Sequence, residues 1–133
     1  MAIAETPSTA RILGAIARAT PRLKVLLLFG SRARGDASEH SDWDFGYLAS
    51  DDLDLPALLA SLVTALATDR VDLVDLDRAS GLLRFRAARD GETVFEASEG
   101  LADRFRLEAA SFWCDAYPVL RAEYESILAE LPR

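Results

Sequence analysis

The spacing of apolar positions along this chain changes period several times, and each change marks an element. Residues Lys24 to Phe29 form a nearly continuous apolar run that stops at Gly30, as in a central strand buried on both faces. Ahead of it, Ile12, Ile16 and Ala19 recur at helical spacing, predicting a first helix from about Pro7 to Ala19. Thr6-Pro7 opens that helix as cap and first residue, and Thr20-Pro21 stops it. From Asp42 to Ala49 the pattern alternates, predicting a second strand. Asp42 and Asp44 fall on one face of that strand, while Trp43 and Phe45 turn into a core. Ser50-Asp51-Asp52 is placed to cap a helix of roughly Leu53 to Thr68, with Leu55, Leu58, Leu59, Leu62, Val63 and Leu66 on one side.

A third strand follows at Val71 to Leu76 (VDLVDL). Asp72 and Val74 share one of its faces, and Val71, Leu73 and Asp75 share the other. Asp77 is positioned to cap a helix from Ala79 to Arg89, Asp90-Gly91 signals a turn, and Glu92 to Glu96 reads as a short edge strand. From Ser98 onward the period is helical. Leu101, Phe105, Ala109 and Phe112 line one stripe, and Leu120, Tyr124, Ile127 and Leu131 line another, with Pro118 as a kink or break between them. The outline is a small mixed sheet flanked by helices, an α+β (α/β two-layer) domain with a helical C-terminus.

Composition narrows the classes. The 133 residues are half apolar and carry a net charge of -7, enough for one domain with a real core. No apolar run reaches membrane-spanning length, and the N-terminus shows no basic start followed by a long apolar stretch, so no signal peptide is expected. The single cysteine, Cys114, excludes an internal disulfide and fits a cytoplasmic protein. One cysteine and one histidine leave no structural zinc site, and the acidic balance argues against a general nucleic-acid binder. An acidic chain still binds a nucleotide where divalent cations bridge the two sets of negative charge.

The candidate chemistry lies between Gly30 and Asp72. Gly30 lets the backbone approach a ligand closely, and Ser31 can open a short helix whose amides and hydroxyl face an anion. Capping and phosphate binding use the same geometry at Ser31. Aspartate is disfavoured in strands, and Asp42 and Asp44 on one face repel each other unless a cation compensates, so they read as metal ligands. Asp72 is the candidate third carboxylate on a neighbouring strand, with Asp75 as its substitute; a regular strand cannot aim both at one site. Arg32 and Arg34 are either solvated or clamps on a phosphate oxygen. The polar segment Arg32 to Ser41 reads as a surface rim of the site. His40 has no partner in sequence and reads as a loop residue, while Phe112, Trp113 and Cys114 read as packing.

Gly30-Ser31, ten residues, then Asp42-Trp43-Asp44 matches the GS-x10-DxD signature of the DNA polymerase β-like nucleotidyltransferase superfamily. SRARG after the glycine and SDWD before the second strand are similar to the family's common wording, and VDLVDL is similar to the strand that carries its third carboxylate. In length and order the chain resembles a minimal nucleotidyltransferase (MNT domain), and more closely the antitoxin of HEPN/MNT toxin–antitoxin pairs. The resemblance implies a single nucleotidyltransferase domain over 1-133, with a catalytic core of about 22-96 and C-terminal helices of about 98-131. It implies two Mg2+ ions held by Asp42, Asp44 and Asp72, with Gly30 and Ser31 on the β- and γ-phosphates of ATP. It further implies transfer of AMP to a tyrosine of a partner HEPN-domain ribonuclease, in a hetero-oligomer, with no acceptor residue in this chain.

Two competing functions share the motif. An aminoglycoside-type small-molecule nucleotidyltransferase generally has a further domain or a large acceptor pocket, and little chain follows the last predicted strand here. A non-catalytic antitoxin acting by contact would have no need of an intact motif. Template-directed polymerisation is disfavoured by the lack of a basic groove.

Overall fold

The computed structural model describes residues 7–130. Four strands, β1 (Leu23–Phe29), β2 (Trp43–Ala49), β3 (Val71–Asp75) and β4 (Glu92–Glu96), form one sheet in the order β3-β2-β1-β4. β1 runs antiparallel to both β2 and β4, whereas β2 and β3 are parallel. The sheet is therefore mixed, with the apolar strand in its interior and β4 at an edge, as the sequence predicts. Val25, Leu26, Leu27 and Leu28 are all fully buried, which is possible only if both faces of β1 are covered.

Both faces are covered. On one, α1 (Pro7–Arg18) and α3 (Leu55–Leu66) bring Leu13, Ala17, Leu58 and Leu62 against Leu26, Leu28, Trp43, Phe45, Tyr47 and Val71. On the other, α4 (Gly81–Asp90) and α5 (Leu101–Glu130) bring Ala87, Ala102, Phe105 and Ala109 against Val25, Leu27, Phe29 and Leu76. The α+β class stands, and the layering is helix–sheet–helix rather than two layers, because a strand apolar on both sides needs a cover on each. A four-residue helix, α2 (Ser31–Arg34), sits between β1 and β2.

Several element ends differ from the sequence expectation. α3 is capped by Asp54, whose Oδ1 accepts from the Ala57 amide at 3.1 Å, not by Ser50-Asp51-Asp52. α4 is capped by Ser80, which accepts from the Leu83 amide at 3.2 Å; the Asp77 amide instead donates to Asp75 Oδ1 at 3.0 Å within the preceding turn. In α1 the inward face is Leu13 and Ala17, with Ile16 at its margin, and Ile12 is 47% exposed. α5 runs as one helix through Pro118. Within it Phe112 and Cys114 are exposed rather than core. The cap expected at Thr6, Leu131, and the side chains of Leu120, Tyr124 and Ile127 lie outside the described residues. No helix among the described residues is long and apolar enough to cross a membrane.

Candidate active site

The site is built where β1 ends and where the parallel strands β2 and β3 begin. Gly30 follows β1 with φ of 74° and serves as the N-cap of α2. The Gly30 carbonyl accepts from the Ala33 and Arg34 amides at 3.2 and 3.1 Å, and the Ser31 carbonyl accepts from the Gly35 and Asp36 amides. Two constraints hold glycine at position 30. The left-handed backbone strains any L side chain, and a Cβ there would collide with Asp44 Oδ2. The glycine thus creates the space in which the Asp44 carboxylate stands beside the turn.

Asp44 is the second residue of β2 and pairs in register with Phe29 on one side and with Asp72 on the other. Register partners on adjacent strands lie about 4.8 Å apart and point the same way, so the two carboxylates share one face. The alternation of β2 sends Trp43 and Phe45 into the α1/α3 core, at 6% and 0% exposure, and leaves Asp44 on the opposite face. Asp75 pairs with Tyr47 instead, on the face opposite Asp72 and nearer the far end of β3. Asp72 is therefore the β3 acid beside Asp44. Asp42 lies one residue ahead of β2, exposed, in the segment leading into the strand.

The charge balance is uneven. The Asp44 carboxyl titrates above its ordinary range, first because it is partly buried, then because Asp72 and Asp42 repel its charge; Arg34 pulls weakly the other way. Three acids and one half-exposed arginine leave a surplus of negative charge at the mouth of β2, which a cation would neutralise. The donors are all carboxylate oxygens, the hard ligands that suit magnesium. Among the described residues no three acids, histidines or cysteines are drawn together tightly enough to form a ready-made metal cage.

The two arginines of the turn part company. Arg34 is on the surface, with Nε 3.4 Å from Asp36 Oδ2, and stays within electrostatic reach of Asp44. Arg32 is buried, at 6% exposure. Its guanidinium lies 4.3 Å from the Trp43 ring centroid and donates to the carbonyls of Ser41 at 3.0 Å and Glu39 at 3.4 Å. Those bonds tie it to the loop before Asp42, so it is not a solvated side chain. His40 is exposed, and its carbonyl accepts from Arg70 Nη1 at 2.6 Å. Arg70 had no sequence signal, since nothing local relates position 70 to position 40.

The residues matched by a family model run from 13 to 100, and that model describes the polymerase beta nucleotidyltransferase domain. The chain is 32% identical over 99 residues to the protein adenylyltransferase MntA of Aphanizomenon flos-aquae, covering 65% of each protein. Just under two thirds of that relative's length is therefore spanned. A solved toxin–antitoxin structure with AMP-PNP is similar at a TM-score of 0.70 and 30% identity, over 91% of this chain and 96% of that one. A second, of tri-AMPylated Shewanella oneidensis HEPN toxin in complex with MNT antitoxin, is similar at 0.62 and 29% identity, over 91% of this chain and 97% of that one.

Proposed function

The chain belongs to the polymerase beta nucleotidyltransferase family, and from that premise we propose that it transfers AMP from ATP to a tyrosine hydroxyl of a partner HEPN toxin and thereby silences it. The observation that carries this reading is the register pair Asp44 and Asp72 beside Gly30, with the Asp44 carboxyl pushed up by burial and by its two acidic neighbours. Such a charge surplus is costly to keep unless a cation shares it. The names of the similar proteins support the substrate and the acceptor: a protein adenylyltransferase, a toxin–antitoxin structure with AMP-PNP, and an AMPylated HEPN toxin bound by an MNT antitoxin.

In this mechanism Gly30 and Ser31 hold the β- and γ-phosphates against the α2 turn, and Arg34 supplies a positive charge at the rim. Asp42, Asp44 and Asp72 would hold two magnesium ions, which when bound stabilise the entering and leaving oxygens of an in-line displacement at the α-phosphorus. The acceptor oxygen bonds to that phosphorus, its proton passes to solvent or a carboxylate, and pyrophosphate leaves. Asp72 is exposed and lies on the edge strand, so the acceptor hydroxyl arrives from the β3 side. Positioning is the remaining requirement, and a partner protein that presents its own hydroxyl supplies it. We extend the reading to one functional domain over 1-133 working in the cytoplasm.

The test is transfer of label from ATP labelled at the α-phosphate to the co-expressed HEPN partner, with magnesium present and after chelation. Label on the partner that disappears with chelator, and with Asp42→Asn/Asp44→Asn, is the expected result; the double variant should lose at least about 10³-fold in rate. A double variant that neutralises the toxin as well as wild type would replace transfer by contact as the mechanism.

A further inference from the structure

Asp42 poses a positional problem that the strands do not solve. The ladder of β2 starts at Trp43, so Asp42 is aimed only by the loop that leads into it. That loop closes on itself through a small turn: the Ser41 amide donates to the Ser38 carbonyl at 3.1 Å, and the Ser38 amide donates to Ser41 Oγ at 2.9 Å. A cleft of ≈ 540 Å³ lies beside it, lined by Arg32, Ser38, Trp43, Leu66 and Thr68 among others. What ties the turn to the body is a pair of guanidinium groups. Arg32 reaches the carbonyls of Glu39 and Ser41 from the α2 side, while stacked on Trp43. Arg70 reaches the His40 carbonyl from the β3 side, and its own carbonyl accepts from the Trp43 amide at 2.8 Å. Three consecutive carbonyls immediately before Asp42 are thus held by two arginines from opposite directions.

We propose that Arg32 and Arg70 are positioning residues, a clasp on the carbonyls of residues 39–41 that fixes where the Asp42 carboxylate stands. The inference rests on the nucleotidyltransferase reading and assigns Arg32 to the protein rather than to the nucleotide. Arginine suits the task because one terminal nitrogen, Nη2, donates to both the Glu39 and the Ser41 carbonyls while the guanidinium plane stacks on an indole. Lysine would keep a charge and N–H donors but lose the planar face that stacks on Trp43. Groups that orient a metal ligand affect cation affinity about 10- to 100-fold when removed.

The experiment uses the full chain with Arg32→Met, Arg32→Lys and Arg70→Met, and reads three quantities. Amide hydrogen exchange over residues 36–42 in cation-free protein should quicken about tenfold or more in Arg32→Met and less in Arg70→Met. Mn2+ binding in the presence of a non-hydrolysable ATP analogue should weaken about tenfold in Arg32→Met and about threefold in Arg70→Met, with Arg32→Lys in between. Analogue binding without divalent cation should stay within about twofold of wild type in all three, since none touches the nucleotide. A loosened loop with wild-type Mn2+ affinity overturns the clasp, as does unchanged loop exchange with lost analogue binding, which would make Arg32 a phosphate grip. Wild-type protein that binds no divalent cation would instead sink the nucleotidyltransferase reading, and the exchange measurement would still decide the clasp. Arg70 is exposed, so its variant keeps the test alive if Arg32→Met does not fold.

Discussion

The two faces of the sheet are closed by different chemistry. Behind it, α1 and α3 lay leucines and alanines on Leu26, Leu28, Phe45 and Tyr47, and the buried Arg32 joins that layer at its edge, stacked on Trp43. In front, α4 offers a single fully buried residue, Ala87, and the seam with α5 is sewn by arginines. Arg84 donates to the Leu76 carbonyl and lies 5.1 Å from the centroid of Phe105. Arg106 crosses from α5 to the Ala88 carbonyl and to Thr93 Oγ1, both at 2.9 Å. The front face is also the one on which Asp44 and Asp72 stand. A face that must leave charged groups open to solvent at one end cannot be a continuous apolar slab. Side chains with an apolar stem and a fork of donors close the rest of it.

The sharpest way to break this contrast is to open a cavity behind the sheet. Leu62→Ala removes a fully buried side chain from the α3 layer, and should cost about 3 kcal/mol of stability. Because that layer lies across the sheet from the carboxylates, transfer per folded molecule should stay near wild type. Urea unfolding at constant m-value measures the first quantity, and single-turnover labelling below the unfolding transition measures the second. A folded Leu62→Ala with transfer reduced tenfold would show that the two faces are not independent.

A smaller effect is expected in front. Arg84→Met keeps the stem over Phe105 and deletes the bond to the Leu76 carbonyl, so the cost should be about 1.5 kcal/mol. Leu76 itself is fully buried, and its side chain lies so close to Gly46 that a Cβ there would come within 2.8 Å. The lost bond therefore loosens the turn after β3. If Arg84→Met proved more damaging than Leu62→Ala in the same urea titration, the arginine seam rather than the leucine layer would be the main support of the fold.

The same contrast explains what could be read from the residues. Leu58 and Leu62, and the alternation of Trp43, Asp44 and Phe45, follow from period and hydrophobicity alone, because burial is decided by local side-chain type. Gly30, Asp42 and Asp44 could be picked out by their spacing, and the period of VDLVDL already said that Asp72 and Asp75 part; only the pairing of β3 with β2 said which one stands beside Asp44. Arg32 and Arg34 are two apart on one helical turn, about 200° around it, so one had to face inward. Nothing local said which, because the acceptors are carbonyls nine residues on or fewer, in a loop without period. The caps at Asp54 and Ser80 were missed for a similar reason. Several acids and serines stand near each helix start, and the last turn of backbone chooses among them.

The least of the expected effects lies where the front seam meets the site. Asp90, at the end of α4, receives Arg89 Nε and Nη2 on its two oxygens at 2.9 Å. Its carboxyl titrates below the usual range, first through that hydrogen-bonded arginine, with burial opposing and Arg34 and Arg86 adding smaller pulls. A carboxyl depressed in the folded state contributes stability that is present above the unfolded value, about 3.9, and is lost as pH falls through the lower folded value. The Arg89 side chain is 57% exposed, so solvent screens the pair and Asp90→Asn should lower Tm at pH 7 by no more than about 2 °C. That difference between wild type and variant should shrink as pH drops below about 4 and be lost once the pH has fallen through the lowered folded value. Thermal unfolding of both proteins across that range measures it. A gap that widened on acidification would mean Asp90 is held protonated, and would remove the Arg89 pair at the end of α4 from the account of how this face is stabilised.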